Sequence, residues 1–265
     1  MTKSNPQQPI GIFDSGIGGT SIWKEINNLL PNEETIYLSD SKNAPYGQKS
    51  KDAIIELSIK NTEFLLNKNC KTIVVACNTA TTNAIKYLRK NYDIPFIGIE
   101  PAIKPASLKT KTNCIGILAT KGTLNSELFE KTSSNIDATI KIIEQVGEGL
   151  VELIEDGNID SVKMTTLLKS YLQPMMLQKM DCLVLGCTHY PYLISQIKNI
   201  VGKNVNIIDS GEAVAKQTKA ILEKHKLINL NRRMKTHTFY INKNSDVLRT
   251  ILRKSKSVRI EELTF

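Results

Sequence analysis

Cys77 and Cys187 are the two residues in this chain whose type and setting point most directly to chemistry. Each closes a short apolar run, "TIVVA" before Cys77 and "CLVLG" before Cys187, and each is followed within two residues by threonine and then by a helical pattern. A helix amino terminus offers unpaired N–H groups and a partial positive charge, which favour a thiolate and a nearby carboxylate. Two thiols on opposite sides of one cleft could take a proton from one face of a tetrahedral carbon and return one to the other, with one thiolate and one thiol at the start. The other three cysteines, Cys70, Cys114 and Cys182, sit at the starts of apolar runs and read as small buried hydrophobes. An odd count of five, widely spaced, argues against a disulfide framework. Zinc is disfavoured as well. Cys187 and His189 could ligate it, but no CxxC or HxxxH spacing accompanies them.

The elements that would hold these thiols are legible in the hydrophobic pattern. Ile10–Phe13, Thr35–Leu38, Thr72–Ala76, Phe96–Ile99, Cys114–Leu118, Thr139–Ile143, Cys182–Leu185 and Val205–Ile208 are expected as short strands, most of them apolar throughout. Helical patterns lie between them at Thr20–Leu30, Ser50–Lys68, Ala80–Asn91, Ser161–Leu172 and Tyr190–Val201. Alternation of this kind predicts a doubly wound α/β fold with parallel sheets, whose ligands bind beyond the carboxyl ends of the strands. "TIVVACNTATTNAIKYLRKNYDIPFIGIE" and "CLVLGCTHYPYLISQIKNIVGKNVNIIDS" share one plan, and "IGIFDSGIGGT" is matched by "IGILATKGT". Two similar α/β domains are therefore expected, 101–210 forming the second and 1–100 with 211–265 the first, with the active site in the cleft between them. The tail should contribute a strand (His237–Ile241), a helix (Asp246–Ser255) and a last strand (Val258–Glu262) to the first.

Composition narrows the class of function. Among 265 residues, 41% are hydrophobic and 23% charged, as in an ordinary globular protein. No apolar run approaches the ~20 residues that span a bilayer. Met1–Gln8 is polar and lacks the apolar core of a secretory signal, so a cytoplasmic protein is expected. A net charge of +9 raises the question of nucleic acid. The basic residues are scattered, with mild clusters only at Lys109–Lys111, Arg232–Lys235 and Arg253–Lys256, and no nucleic-acid-binding motif is present, so no specific nucleic-acid partner is expected. Gly16, Gly18 and Gly19 do not fit the dinucleotide fingerprint, which leaves NAD a weak reading.

"IVVACNTAT" at 73–81 and "LVLGCTHYP" at 183–191 resemble the two cysteine signatures of the aspartate/glutamate racemase superfamily. "GIFDSGIGG" at 11–19, "APYG" at 44–47 and "IDSGEA" at 208–213 are similar to the glutamate racemase family in particular, and the motifs cover nearly the whole chain in order. The resemblance implies a pyridoxal-independent, two-base amino-acid racemase without cofactor or metal, acting on glutamate and supplying D-glutamate for peptidoglycan; the alternatives are aspartate racemase or a related superfamily isomerase and, from a different class, a non-enzymatic α/β module that binds an anion or nucleic acid. It implies that Cys77 serves D-glutamate and Cys187 L-glutamate, and that Asp14 accepts from the substrate ammonium and orients Cys77. By the same likeness Ser15, Asn78, Thr79, Thr120, Thr123 and Thr188 bind substrate, Tyr46 and Gly47 contribute backbone contacts, and His189 assists Cys187. Several of these have plainer uses: Asp14–Gly16, Asn78, Thr79 and Thr188 could simply cap helices, and Pro45–Gly47 could be a turn. A glutamate supporting His189 is also implied; Glu152 in "LVELIEDG" is the best match and Glu155 the rival, in a stretch that lacks the family's usual Cys-Pro. Members of the family are often dimeric with varying interfaces, so the resemblance allows a homodimer without fixing its surface.

Overall fold

The computed structural model describes residues 5–231, 235–255 and 257–265. Its strands form two sheets in which every pairing is parallel. In chain order they are β1 (Ile10–Asp14), β2 (Thr35–Ser39), β3 (Thr72–Val75), β4 (Phe96–Gly98), β5 (Cys114–Ala119), β6 (Lys141–Val146), β7 (Cys182–Gly186), β8 (Asn206–Ile208), β9 (His237–Ile241) and β10 (Val258–Glu262). The first sheet runs β10-β9-β2-β1-β3-β4 and the second β6-β5-β7-β8. The order second–first–third–fourth thus occurs in both, which is the internal repeat expressed as topology. In each sheet the strand order reverses beside the first strand, and a cysteine follows the third: Cys77 after β3, Cys187 after β7. Such reversals are where open α/β sheets bind ligands.

Both sheets are covered on both faces, which explains the near-continuous apolar strands. Ile10 and Ile12 of β1, Val74 of β3, and Leu183 and Leu185 of β7 enter one large core that spans the two sheets. Phe13, Ile73 and Val75 face the opposite side of the first sheet, under helices Lys51–Asn67 and Asn78–Asn91. Ile115, Ile117, Cys182 and Val184 do the same on the second sheet. Cys70, Cys114 and Cys182 are buried, in keeping with their reading as small hydrophobes. Among the described residues no helix is long and apolar enough to cross a membrane.

Several boundaries differ from the sequence-based expectation. Strand β6 lies at Lys141–Val146 rather than Thr139–Ile143, because Asp137 accepts from the Thr139 N–H and turns the chain there. The segment expected as one helix over Tyr190–Val201 opens with a tight 3-10 turn at Tyr190–Leu193, in which Pro191 has no N–H to donate, and becomes α-helical at Ile194. The helix expected to end at Leu172 continues to Leu177 with Pro174 inside it, and the one expected over Asp246–Ser255 stops at Leu252.

Lys71 marks the amino-terminal end of β3. Its side chain is fully buried and spends all three donors: on the Glu33 carboxylate, on Leu227 O at 2.8 Å and on Pro6 O at 2.6 Å. Glu33 also accepts from the Asn229 N–H at 2.8 Å, so one ion pair fastens the chain's start to the segment that leads back into the first sheet. Breaking a buried pair leaves an uncompensated charge, so Lys71→Met is expected to cost about 3–5 kcal/mol in urea unfolding. Adding Glu33→Leu should recover part of that loss.

Candidate active site

Asp14 ends β1 and is fully buried. Its Oδ2 accepts from the Gly19 N–H at 2.6 Å and from the Thr188 hydroxyl at 3.3 Å, so a residue of the second sheet's loops reaches the first sheet's carboxylate. Burial pushes its pKa up to about 6, against the opposing pull of His189 and the Gly19 N–H. Cys77 caps helix Asn78–Asn91, its sulfur accepting from the Ala80 N–H at 3.4 Å. The thiol faces Ser15 Oγ at 3.6 Å, and Ser15 Oγ lies 3.5 Å from Asp14 Oδ1. Burial, reinforced by the Asp14 charge, holds the Cys77 thiol far above its ordinary range.

On the other side, Cys187 Sγ lies 3.7 Å from His189 Nδ1, and His189 Nε2 lies 2.6 Å from Glu155 Oε1. Gly18 N is also near Nε2, at 3.2 Å, but the shorter contact is to a carboxylate, and we assign the Nε2 proton to it. Burial alone would lower the imidazole pKa; bonds to Cys187 and Glu155 outweigh it and raise it well above the usual histidine range. Glu155 Oε1 accepts from the Ile17 N–H at 2.7 Å, and Oε2 accepts from Ser41 Oγ at 2.7 Å. Each thiol is thus backed by a chain of polar groups ending on a buried carboxylate: Cys77–Ser15–Asp14 and Cys187–His189–Glu155. Each carboxylate is also held from the opposite half of the chain.

The Ser15–Gly19 loop can come this close only because its glycines lack a side chain. A Cβ on Gly16 would stand 1.9 Å from Glu155 Oε1, and one on Gly18 2.3 Å from His189 Nδ1. The expectation that Glu152 supports His189 is corrected here. Glu152 accepts from Gln48 Nε2 at 2.7 Å at the rim, while Glu155, one turn further along helix Leu150–Glu155, makes the histidine contact. Both follow a Leu-Val or Leu-Ile pair, so "LIEDG" carried the needed signal beside "LVE". Ser41 and the Ile17 amide escaped sequence reading: Ile17 lies within "GIFDSGIGG", but a backbone N–H leaves no mark in residue type, and Ser41 is an ordinary serine before a turn.

Other expected residues meet each other across the two halves. Thr79 of the first half and Thr120 and Thr123 of the second form a triangle of hydroxyls with sides of 2.8, 3.2 and 3.0 Å. Asn78 is 3% exposed, yet neither polar atom of its side chain has a partner among the described residues. An amide buried without partners is costly unless something else is bound there. Tyr46 commits its hydroxyl to Asp40 and to Asn61 Nδ2 at 3.0 Å, which leaves the backbone of this turn and the Gln48 side chain to face the second half. Gly47 packs there against Thr120 and Gly122. A cavity of about 130 Å³ lies at this seam, lined by Pro45, Gly47, Thr120, Gly147, Val151 and Glu152, with the Gln48–Glu152 bond at its edge.

The family model for Asp/Glu/hydantoin racemases matches residues 10–218. The chain belongs to this racemase family. Among its relatives, a glutamate racemase from Herpetosiphon aurantiacus is 44% identical over 84% of this chain and 87% of its own length. One from Cupriavidus pinatubonensis is 44% identical over 86% and 83%. Among solved structures, a glutamate racemase isoform from Bacillus anthracis superposes with a TM-score of 0.86 at 30% identity, covering 98% of this chain and 99% of that one. The Escherichia coli glutamate racemase, solved with L-glutamate and the activator UDP-MurNAc-ala, gives 0.85 at 30% identity over 97% and 98%. The family match spans both cysteines and both carboxylates of the site, and the solved structures share the two-sheet architecture that brings them together.

Proposed function

We propose that this racemase interconverts L- and D-glutamate through Cys77 and Cys187, with no bound cofactor, and so supplies D-glutamate for peptidoglycan. The observation that carries the reading is the pair of polar chains, one behind each thiol and each ending on a buried carboxylate. The relatives' names support glutamate as substrate, as does the Francisella tularensis glutamate racemase, 29% identical, solved with D-glutamate. On this reading the chain divides into a first domain, 1–100 with 211–265, and a second, 101–210. Five free cysteines suit a reducing cytoplasm, and a homodimer is part of the same proposal.

On this reading the two thiols begin in different states. Cys77 rests as the thiol, because burial and Asp14 both oppose its ionisation. Cys187, 3.7 Å from the Nδ1 of a His189 ring held by Glu155, is then the base for L-glutamate. Cys187 then removes the α-proton of L-glutamate, and the electron pair left at Cα is delocalised into the α-carboxylate. The helix amino terminus at Asn78, the Asn78 amide and the Thr79 hydroxyl are donors for the carboxylates, and the Thr188 N–H lies beside them; losing one such donor costs on the order of 3 kcal/mol in the transition state. Cys77 delivers its proton to the opposite face, leaving D-glutamate with the thiol and thiolate exchanged. For D-glutamate the roles run in reverse.

The test is kcat/KM for glutamate and aspartate without pyridoxal phosphate, and with EDTA present. A missing methylene alone changes discrimination by ~10–200-fold, and a displaced carboxylate that leaves donors unpaired costs more. A preference for glutamate above about 100-fold, insensitive to EDTA, is expected. Comparable efficiencies would move the assignment to aspartate, and a strict need for pyridoxal phosphate or a metal would overturn the mechanism.

A further inference from the structure

We propose that Ser41 is a positioning residue for the Cys187 side of the reaction, acting through Glu155 and His189 and leaving the Cys77 side untouched. The inference rests on the two-thiol reading above. Glu155 is carried by helix Leu150–Glu155 of the second half, whereas Ser41 opens the short turn after β2 in the first. Ser41 is 4% exposed, and its hydroxyl donates to Glu155 Oε2 at 2.7 Å. Ser39 Oγ stands 3.1 Å behind it and supplies the bond that Ser41 needs as an acceptor.

The consequence follows from how a carboxylate turns. Rotation about its last bond moves both oxygens together, and this torsion is soft and broad when nothing holds it. Fixing Oε2 on Ser41 therefore fixes Oε1, which must meet both the Ile17 N–H and His189 Nε2. With Nε2–H committed to Glu155, Nδ1 is the nitrogen left for Cys187. Ser41 thus sets the ring orientation and proton placement at the second thiol from the other half of the molecule. Its side-chain hydrogen bonds go to Glu155 and Ser39, and none goes to Cys77, Ser15 or Asp14. Removing its hydroxyl strands Oε2 as a buried acceptor with no partner, and the carboxylate is free to turn. Turning weakens its hold on the imidazole.

Racemisation itself cannot reveal the asymmetry. The two enantiomers are equal in free energy, so kcat/KM must be equal in both directions for any variant. A one-sided reaction is required. With threo-3-chloroglutamate, a thiolate takes the α-proton, the Cα–H electron pair forms a Cα–Cβ double bond, and chloride leaves. The enamine then tautomerises and hydrolyses to 2-oxoglutarate and ammonium, so only the thiol facing the α-proton is needed.

The experiment measures initial chloride release from each enantiomer by wild type, Ser41→Ala, Ser41→Cys and Ser41→Thr. Ser41→Ala should slow the L enantiomer by about 10–100-fold, short of the ~10²–10⁴-fold of a general acid–base group itself because Ser41 acts through two others, and leave the D enantiomer within about threefold of wild type. Ser41→Thr, which keeps the hydroxyl, should restore the L-side rate, with Ser41→Cys between. The unchanged D-side rate reports that each variant is folded. Equal slowing of both enantiomers, or no slowing of either, would overturn the proposal. Cys77→Ser and Cys187→Ser serve as the separating control. If they divide the enantiomers while the Ser41 variants do not, the Ser41 role fails alone; if they do not divide them, the two-thiol reading fails.

Discussion

Serine in place of Cys77 or of Cys187 is expected to reduce racemisation by at least about 1,000-fold, because inversion needs an acid and a base on opposite faces and general acid–base groups contribute ~10²–10⁴-fold each. A serine hydroxyl is far less acidic than a thiol, so it can replace neither the thiolate that takes the proton nor, at comparable rate, the thiol that returns it. The two variants should nevertheless differ in elimination from threo-3-chloroglutamate. Cys187→Ser should retain activity on the D form and Cys77→Ser on the L form, each using the thiol that remains. Racemisation undiminished in either variant would make that cysteine structural, and the base would have to be sought at Asp14 or His189.

The second large effect concerns Asp14, where function and stability pull apart. Its pKa is raised from the ordinary 3.8 to about 6, chiefly by burial. A carboxyl group that binds its proton more tightly in the folded state favours folding at low pH, and this advantage is lost as pH rises between the two values. Above pH about 6 the native protein carries the buried charge at full cost, on the order of 3 kcal/mol for a shift of this size. Asp14→Asn keeps an acceptor for the Gly19 N–H and carries no charge. It should therefore be more stable than wild type at pH 8 by up to that amount, with the difference vanishing near pH 4. Racemisation should fall by about 100-fold or more, since Asp14 ends the polar chain behind Cys77. Urea midpoints at pH 4 and pH 8, set beside rates, test both halves. A variant less stable than wild type at pH 8 would show that the Asp14 charge is compensated in the fold.

Much of this site could be read from the chain because its parts are local. Cys77 and Cys187 stand at strand-to-helix junctions, a position visible in the hydrophobic pattern, and Asn78, Thr79, Thr188 and His189 follow directly. The repeated order of strands was likewise implicit in two matching segments. What escaped reading depends on contacts between distant segments. Glu152 and Glu155 have similar sequence surroundings, and only the placement of helix Leu150–Glu155 against the Ser15–Gly19 loop decides which meets His189. Ser41 is an ordinary serine until β2 delivers it to a carboxylate 114 positions away. For Tyr46 the expectation is of backbone contacts alone; that its hydroxyl meets Asp40 and Asn61 is a tertiary contact with no local sign. The shifted start of β6 has a local cause in the Asp137 turn, one that apolar periodicity does not register.

If two different groups handle the proton, its fate at Cα shows it. Wild-type enzyme is given L-glutamate in D₂O without added cofactor, and Cα deuterium is followed in both enantiomers from the first turnovers by mass spectrometry after chiral separation. A thiol that has exchanged with solvent delivers deuterium to the face opposite the one deprotonated. The account predicts D-glutamate carrying deuterium at Cα from the outset, while the remaining L-glutamate stays protiated early in the reaction. D-glutamate that retains the original protium would mean one group carrying the proton from face to face, and would contradict the two-thiol mechanism.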